Sequence, residues 1–218
     1  MSIRFYFAPG ACSLAVHIAL EEAGVEHIPI RLSLADGDQR RPEFLSVNPL
    51  GRIPALVVDG QLITEVTGIL AWLAHRYPQA GLLPLGDPFL TGKAFELASW
   101  FASSVHPSFA QIGRGERFTD DPATREVLKA DGAVRFRRHL DRIEALFADG
   151  RPWLLGDRYS IIDAYALVFY RWAPRLSIDQ NDFPAWTAQV RRLYARPAIL
   201  RALAQEGLSP EPALLAAA

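Results

Sequence analysis

The sequence predicts two units in tandem: a mixed α/β unit over residues 1–78 and an all-helical unit over residues 88–218, joined by a linker at 79–87. Three observations predict this. Strand and helix signals alternate through residue 77. A segment rich in proline and glycine, Pro78-Gln79-Ala80-Gly81-Leu82-Leu83-Pro84-Leu85-Gly86-Asp87-Pro88, then interrupts the chain. From residue 89 onward there is no strand pattern, only apolar residues at helical spacing.

The elements follow in order. Residues 3–7 are a run of large and branched side chains and read as a strand. Residues 13–23 read as a helix closed by Gly24. A second strand is predicted over 26–32. Residues 55–58 and 61–63 flank Asp59-Gly60, a strong hairpin signal. Residues 65–77 carry Ile69, Leu70, Leu73 and Tyr77 on one helical face, and Pro78 stops that helix. The second unit is predicted to hold long helices at about 89–112, 123–148, 160–173 and 183–195, with a last one near 197–205. Ser160-Ile161-Ile162-Asp163 is a capping box, with Asp in place of the commoner Glu. Its role is structural. The alanine-rich end, Ala213 to Ala218, is predicted to fray.

Composition excludes several function classes. Lys plus Arg is 23 against 24 for Asp plus Glu, a net charge of -1, and no basic run marks a nucleic-acid footprint. No stretch of about 18 apolar residues suggests a membrane span. The N-terminus reads as a strand rather than a signal peptide. The single cysteine excludes an internal disulfide and a zinc cluster of several thiolates. These features predict a cytoplasmic protein without a metal, a nucleic-acid partner or a membrane anchor.

That cysteine is the leading catalytic candidate. Cys12 follows Pro9-Gly10-Ala11 where the first strand hands over to the first helix. The positive end of a helix favours thiolate over thiol, and thiolate is the reactive form; if Cys12 is itself the attacking group, an apparent pKa below about 8.5 is expected, whereas a Cys12 that only polarises or traps a ligand thiol needs no such shift. The alternative is a buried small hydrophobe. Tyr6, near the end of the first strand, and Ser13, beside Cys12, are rival nucleophiles. Strand alternation sets Tyr6 apart from Phe5 and Phe7, and Ser13 can equally cap the helix. Ala15 occupies the second position of a would-be Cys-x-x-Cys pair, so a disulfide at Cys12 must be mixed with another thiol.

Four motifs then fall in a telling order. Pro9-Gly10-Ala11-Cys12-Ser13 resembles the active-site turn of the bacterial, cysteine-type beta class of the cytosolic glutathione transferases. Asn48-Pro49-Leu50-Gly51-Arg52-Ile53-Pro54-Ala55-Leu56 resembles that family's loop before its third strand. Leu62-Ile63-Thr64-Glu65 resembles its strand-to-helix turn, and Ser160-Ile161-Ile162-Asp163-Ala164 its folding box. The resemblance covers nearly the whole chain. It implies a thioredoxin-like first unit and a helical-bundle second unit. It also implies a homodimer, with glutathione as co-substrate and a small electrophile or a disulfide as the second substrate.

The resemblance also implies site residues. Ile53 would pair its backbone with glutathione beside a cis Ile53–Pro54 bond, as an added strand does. Glu65 would hold the ligand's ammonium, and the amide of Val66 its γ-glutamyl carboxylate. Relatives usually have Ser or Gly where Val66 stands, so a hydroxyl contact is lost. His106 falls where beta-class enzymes carry an active-site histidine; it would stabilise a thiolate, polarise the ligand thiol, or be a satisfied core residue. Ser99, Ser103 and Ser104 are candidate glutathione contacts. Pro107 and Asp36 stand where relatives place basic residues, and Arg40 or Arg41 is the candidate replacement. Phe109 and Trp172 are candidate walls of an electrophile pocket, with Trp100, Phe101 and Trp186 assigned to the core. Two other readings stay open: a non-catalytic protein of this fold that binds a partner, and a glutathione-using isomerase or dehalogenase.

Overall fold

The computed structural model describes residues 1–210. Strand β1 (Ile3–Phe7) leads through a tight turn into α1 (Leu14–Glu22), and β2 (Ile28–Arg31) returns beside it. A short helix, α2 (Pro42–Leu45), precedes the hairpin β3 (Ala55–Val58) and β4 (Gln61–Thr64), and α3 (Val66–Arg76) closes the mixed half. The sheet order is β2-β1-β3-β4. Strands β1 and β2 run parallel, β1 and β3 antiparallel, with Tyr6 opposite Ala55. Asp59 and Gly60 both have positive φ, as the sharp hairpin turn requires.

The helical half holds α4 (Pro88–Trp100), α5 (His106–Gly113), α6 (Pro122–Ala145), α7 (Ile161–Trp172), α8 (Pro184–Tyr194) and α9 (Pro197–Gln205). The helix expected over 89–112 is α4 and α5 joined by a π turn, Phe101–Val105. Pro107 explains the change of register: it offers no amide proton, and its ring would crowd a carbonyl one turn back in a regular α-helix. Among the described residues the helical half has no strand, only an isolated bridge between Trp153 and Gly156. The alanine-rich end at 213–218 lies outside the described residues.

One continuous core joins the halves. Phe5, Phe7, Leu14 and Ile18 belong to the same buried cluster as Phe101, Phe136, Tyr165 and Trp172. A smaller cluster of Tyr6, Leu32, Phe44, Ala55 and Val57 covers the opposite face of the sheet. The linker is itself fixed to this core. Leu82 and Leu83 are buried, and the Leu82 carbonyl accepts from the Ile161 amide at 2.8 Å. Helix α6 approaches α5 at Gly132, where a side chain would meet the Ser108 carbonyl oxygen at 2.7 Å. No helix among the described residues is long and apolar enough to cross a membrane.

The capping box does more than cap α7. Asp163 is fully buried and accepts from the Ser160 amide at 2.9 Å and the Ser160 hydroxyl at 3.1 Å. Its other oxygen takes the Leu154 amide at 2.8 Å and Gln189 Nε2 at 3.2 Å, ties to α8 and the preceding loop that the motif alone does not reveal. Burial raises its pKa to about 6, against the pull of these hydrogen bonds. Asp163→Ala strands two buried backbone donors at an expected cost of about 2–4 kcal/mol. Ser160→Ala is expected to cost about 1 kcal/mol. Urea unfolding of both variants checks the order; equal midpoints would contradict it.

Candidate functional site

The turn between β1 and α1 is held from several sides. Ser13 is fully buried, and its hydroxyl both donates to the Ala8 carbonyl and accepts from the Ala8 amide, each at 3.2 Å. Ser13 therefore braces the turn; it makes no side-chain cap to α1 and does not line the adjoining cleft. Tyr6 points to the opposite sheet face, against Phe44 at 5.4 Å between ring centres. Neither rival nucleophile reaches the cleft, and Cys12 does.

That cleft, of about 1250 Å³, lies between the two halves. Cys12, Ile53, Pro54, Glu65 and Val66 line it from the mixed half, and His106, Phe109 and Trp172 from the helical half. The Ile53–Pro54 bond is cis. Cys12 Sγ lies 3.7 Å from the Ile53 carbonyl oxygen, placed to donate to it. Val66 opens α3, so its amide is one of the unpaired donors of a first helical turn. Glu65 holds φ 64° and ψ 133°, a conformation L residues rarely adopt, which aims the chain at the cleft rim.

Three expectations need correction. Cys12 is 5% exposed, and burial pushes its thiol up to about 12. Arg114, its own amide and Arg117 pull the other way and lose, with Glu65 adding to the rise. The thiol is thus protonated at neutral pH, not the activated thiolate expected from its position near a helix start. Ser99, Ser103 and Ser104 are not among the cleft-lining residues. Phe101 and Val105 turn inward from the same stretch, which leaves Ser99 and Ser103 exposed. The loss of positive charge inferred from Asp36 and Pro107 is more than made good. Arg40 lines the cleft, joined by Arg31, Arg52, Arg114, Arg117 and Arg175, while Arg41 turns to Asp38 at 3.1 Å. The run Gly113-Arg114-Gly115-Glu116-Arg117, at the end of α5, was the available signal for two of these.

His106 packs edge-on against Trp172 at 5.2 Å. Burial, then Arg117, Arg114 and Arg52, lower its pKa to about 4, so the imidazole is neutral in ordinary buffers. Phe109 stacks on Trp172 at 4.2 Å with 22° between the planes. Trp100 is half-buried under Arg142, whereas Phe101 and Trp186 are in the core. One group of potential metal donors, His17, Glu21 and His27, lies away from the cleft, with donor atoms within 4.8 Å of one another. His17 is already engaged by Glu206 and Gln205, and Glu21 by Arg201 and Gln205.

The model for the glutathione S-transferase N-terminal domain matches residues 10–76, and that for the C-terminal domain matches 126–196. A glutathione S-transferase of Xanthomonas campestris, GST-4.5, is 32% identical over 211 residues, covering 95% of this chain and all of the relative. The chain belongs to the glutathione S-transferase family. Among solved structures, a glutathione transferase homologue from Sulfitobacter with bound glutathione superposes with a TM-score of 0.88 at 30% identity, covering 95% of this chain and 99% of the other. The beta-class glutathione S-transferase of Sphingomonas chungbukensis gives 0.83 at 29% identity, covering 94% and 100%. The four-stranded sheet with its helical second half is the glutathione S-transferase fold, and the thioredoxin-like unit and helical bundle expected from the motifs are its parts.

The state of Cys12 is measurable. In the ligand-free protein, the rate of alkylation by iodoacetamide is expected to climb from about pH 7 to 10 without a plateau, because only thiolate reacts. Mass spectrometry of the single cysteine follows it. A plateau near neutral pH would mean that the helix and arginine field outweighs burial.

Proposed function

We propose that the protein is a glutathione S-transferase of the cysteine-type beta class that joins glutathione to small electrophiles in this cleft. One observation carries the reading: Cys12, Ile53, Glu65 and Val66 from one half and His106 from the other line a single cavity. At about 1250 Å³ it exceeds the roughly 300–1,000 Å³ of a site for one small molecule. It can take glutathione and a second substrate together.

Glutathione lies along Ile53, its backbone pairing with that residue's amide and with its carbonyl, which then gives up the Cys12 thiol so that Cys12 can turn to the ligand sulfur. Glu65 takes its ammonium, and the first-turn amide of Val66 takes its γ-glutamyl carboxylate. The missing hydroxyl at residue 66 removes one hydrogen bond from that contact. The sulfur then comes to rest between Cys12 and His106. A protonated Cys12 attacks poorly; it donates a hydrogen bond to the glutathione sulfur instead and stabilises its thiolate. His106, with a pKa of about 4, is too weak a base to keep the glutathione proton. It donates a second hydrogen bond to the sulfur, and the proton leaves to water. Conjugation is therefore favoured over thiol-disulfide exchange at Cys12.

Residues 1–78 form the glutathione-binding unit and 88–218 the helical unit, with 79–87 between; the family-model matches at 10–76 and 126–196 support that division. The protein acts in the cytoplasm as a homodimer. Sedimentation at micromolar concentration is expected to give about twice 24.2 kDa, and a mass near 24.2 kDa would refute the dimer.

Calorimetry with glutathione, followed by turnover with 1-chloro-2,4-dinitrobenzene, tests the activity. Glu65→Gln is expected to weaken glutathione binding about tenfold, the cost of one charge-assisted contact. Failure of the wild type to bind glutathione would point to a non-catalytic partner-binding protein. Binding without conjugation would point to an isomerase or dehalogenase.

A further inference from the structure

The cleft carries more positive charge than glutathione can use. Six arginines line it, Arg31, Arg40, Arg52, Arg114, Arg117 and Arg175, against two carboxylates, Glu65 and Glu116. Arg40 is already within 3.9 Å of Glu116, and Arg175 donates to the Gly10 carbonyl at 3.4 Å. Among the described residues, Arg52, Arg114 and Arg117 have no ion-pair partner or side-chain hydrogen bond. Glutathione as thiolate brings two carboxylates, a thiolate and an ammonium, a net of two negative charges. It leaves the cleft with surplus positive charge.

The placement of the surplus is specific. Arg114 and Arg117 follow directly from α5, the first where the helix ends and the second in a short 3-10 turn, and they line the same cleft as His106, Phe109, Ala110 and Gly113. Their wall belongs to the helical half, across from Ile53, Glu65 and Val66. Burial and the neighbouring charges of Arg52 and Arg114 lower the pKa of Arg117, so the guanidiniums oppose one another in the absence of an anion. Phe109, half-buried and backed by the buried Trp172 ring stacked on it, gives the same wall an apolar face.

We propose that the second substrate is an anionic aromatic electrophile, an activated arene carrying a carboxylate or sulfonate, with Arg114 and Arg117 on the anionic group and Phe109, backed by Trp172, against the ring. This rests on the transferase reading and specifies its substrate class. With an aryl halide, the glutathione thiol releases its proton to water and its sulfur bonds to the ring carbon that holds the halogen. The carbon–halogen bond breaks, and halide leaves with the electron pair. Nothing is oxidised or reduced. A neutral arene uses the aromatic wall alone; an anionic one also relieves the repulsion between the arginines.

The test uses the matched electrophiles 4-chloro-3-nitrobenzoate and 4-chloro-3-nitrobenzamide, each rate divided by its uncatalysed rate with free glutathione. The wild type is expected to favour the benzoate in kcat/KM by about tenfold or more, the worth of one good charged contact. Arg114→Gln with Arg117→Gln should erase that preference, while the glutathione Kd from calorimetry moves less than about threefold. Equal rates in the wild type, or a preference that survives the double substitution, would overturn the proposal. So would a glutathione Kd that weakens in step, since the arginines would then hold glutathione. If neither compound turns over, calorimetry with 3-nitrobenzoate and 3-nitrobenzamide on the glutathione complex decides. Tighter benzoate binding supports the proposal, and equal binding overturns it alone. No glutathione binding at all overturns the transferase reading and this proposal with it.

Discussion

The peptide of Gly10 is the point on which the site depends. Its amide donates to Glu206 Oε2 at 2.7 Å, and its carbonyl accepts from Trp172 Nε1 at 2.8 Å and Arg175 at 3.4 Å. All three partners come from the helical half, so the turn that carries Cys12 is fixed by residues more than 160 positions away. Glycine suits that turn chiefly through its backbone, since the Arg175 tip nearby can shift. Its φ of 63° disfavours a side chain, and a Cβ would approach Arg175 to 2.8 Å. Glu206 also meets His17 Nδ1 at 3.0 Å inside α1, both side chains being fully buried. Removing one partner would leave the other's buried polar group unsatisfied, at a cost of about 1–3 kcal/mol. The pair's consequence is positional: the end of α9 locks both the active-site turn and the helix that follows it.

The same seam explains why the two halves share a core instead of meeting at a wet interface. Alongside the His17 pair, Arg196 reaches Glu22 at 2.6 Å and Arg201 reaches Glu21 at 2.7 Å, so α9 and its neighbours grip α1 along its length. Trp172 serves both sides of the seam. Its indole N–H holds Gly10, and its ring supports Phe109 and His106. A change in this one side chain would disturb the thiol turn and the Phe109 face of the cleft together. The cleft is thus a product of the packing between the halves and belongs to neither alone.

Much of the fold was legible because its signals are local. Asp59-Gly60 dictates a hairpin, Pro78 ends a helix, and Ser160 with Asp163 starts one. Each is a short-range effect that tertiary structure had no reason to override. Cys12 is marked by its own turn, whereas Ile53, Glu65 and Val66 came from the family resemblance; all four line the cleft. What stayed hidden depends on distance. Nothing near Glu206 announces a partner at Gly10 or His17. Arg114 and Arg117 lie just past the end of α5, and nothing local shows that this end faces the cleft. Ser99, Ser103 and Ser104 failed because the register that turns Phe101 and Val105 inward leaves Ser99 and Ser103 outside.

The protonation of Cys12 shows how the opposing effects balance. A helix start and nearby guanidiniums both favour a thiolate, and from the sequence the first of these looks decisive. Arg114, the Cys12 amide and Arg117 all lower the thiol's pKa, and burial outweighs them. Burial acts on the whole charge. The climb of the thiol from 9.0 to about 12 corresponds to about 4 kcal/mol, net of those opposing effects. The arginines are therefore free for another task. A charge cluster that fails to ionise the protein's own thiol still stabilises an anion that enters from solvent, because its neighbours are already oriented when the ligand arrives. In the proposed reaction the carboxylate or sulfonate of the second substrate is that anion, Cys12 serves as a hydrogen-bond donor to the glutathione sulfur, and glutathione supplies the nucleophile.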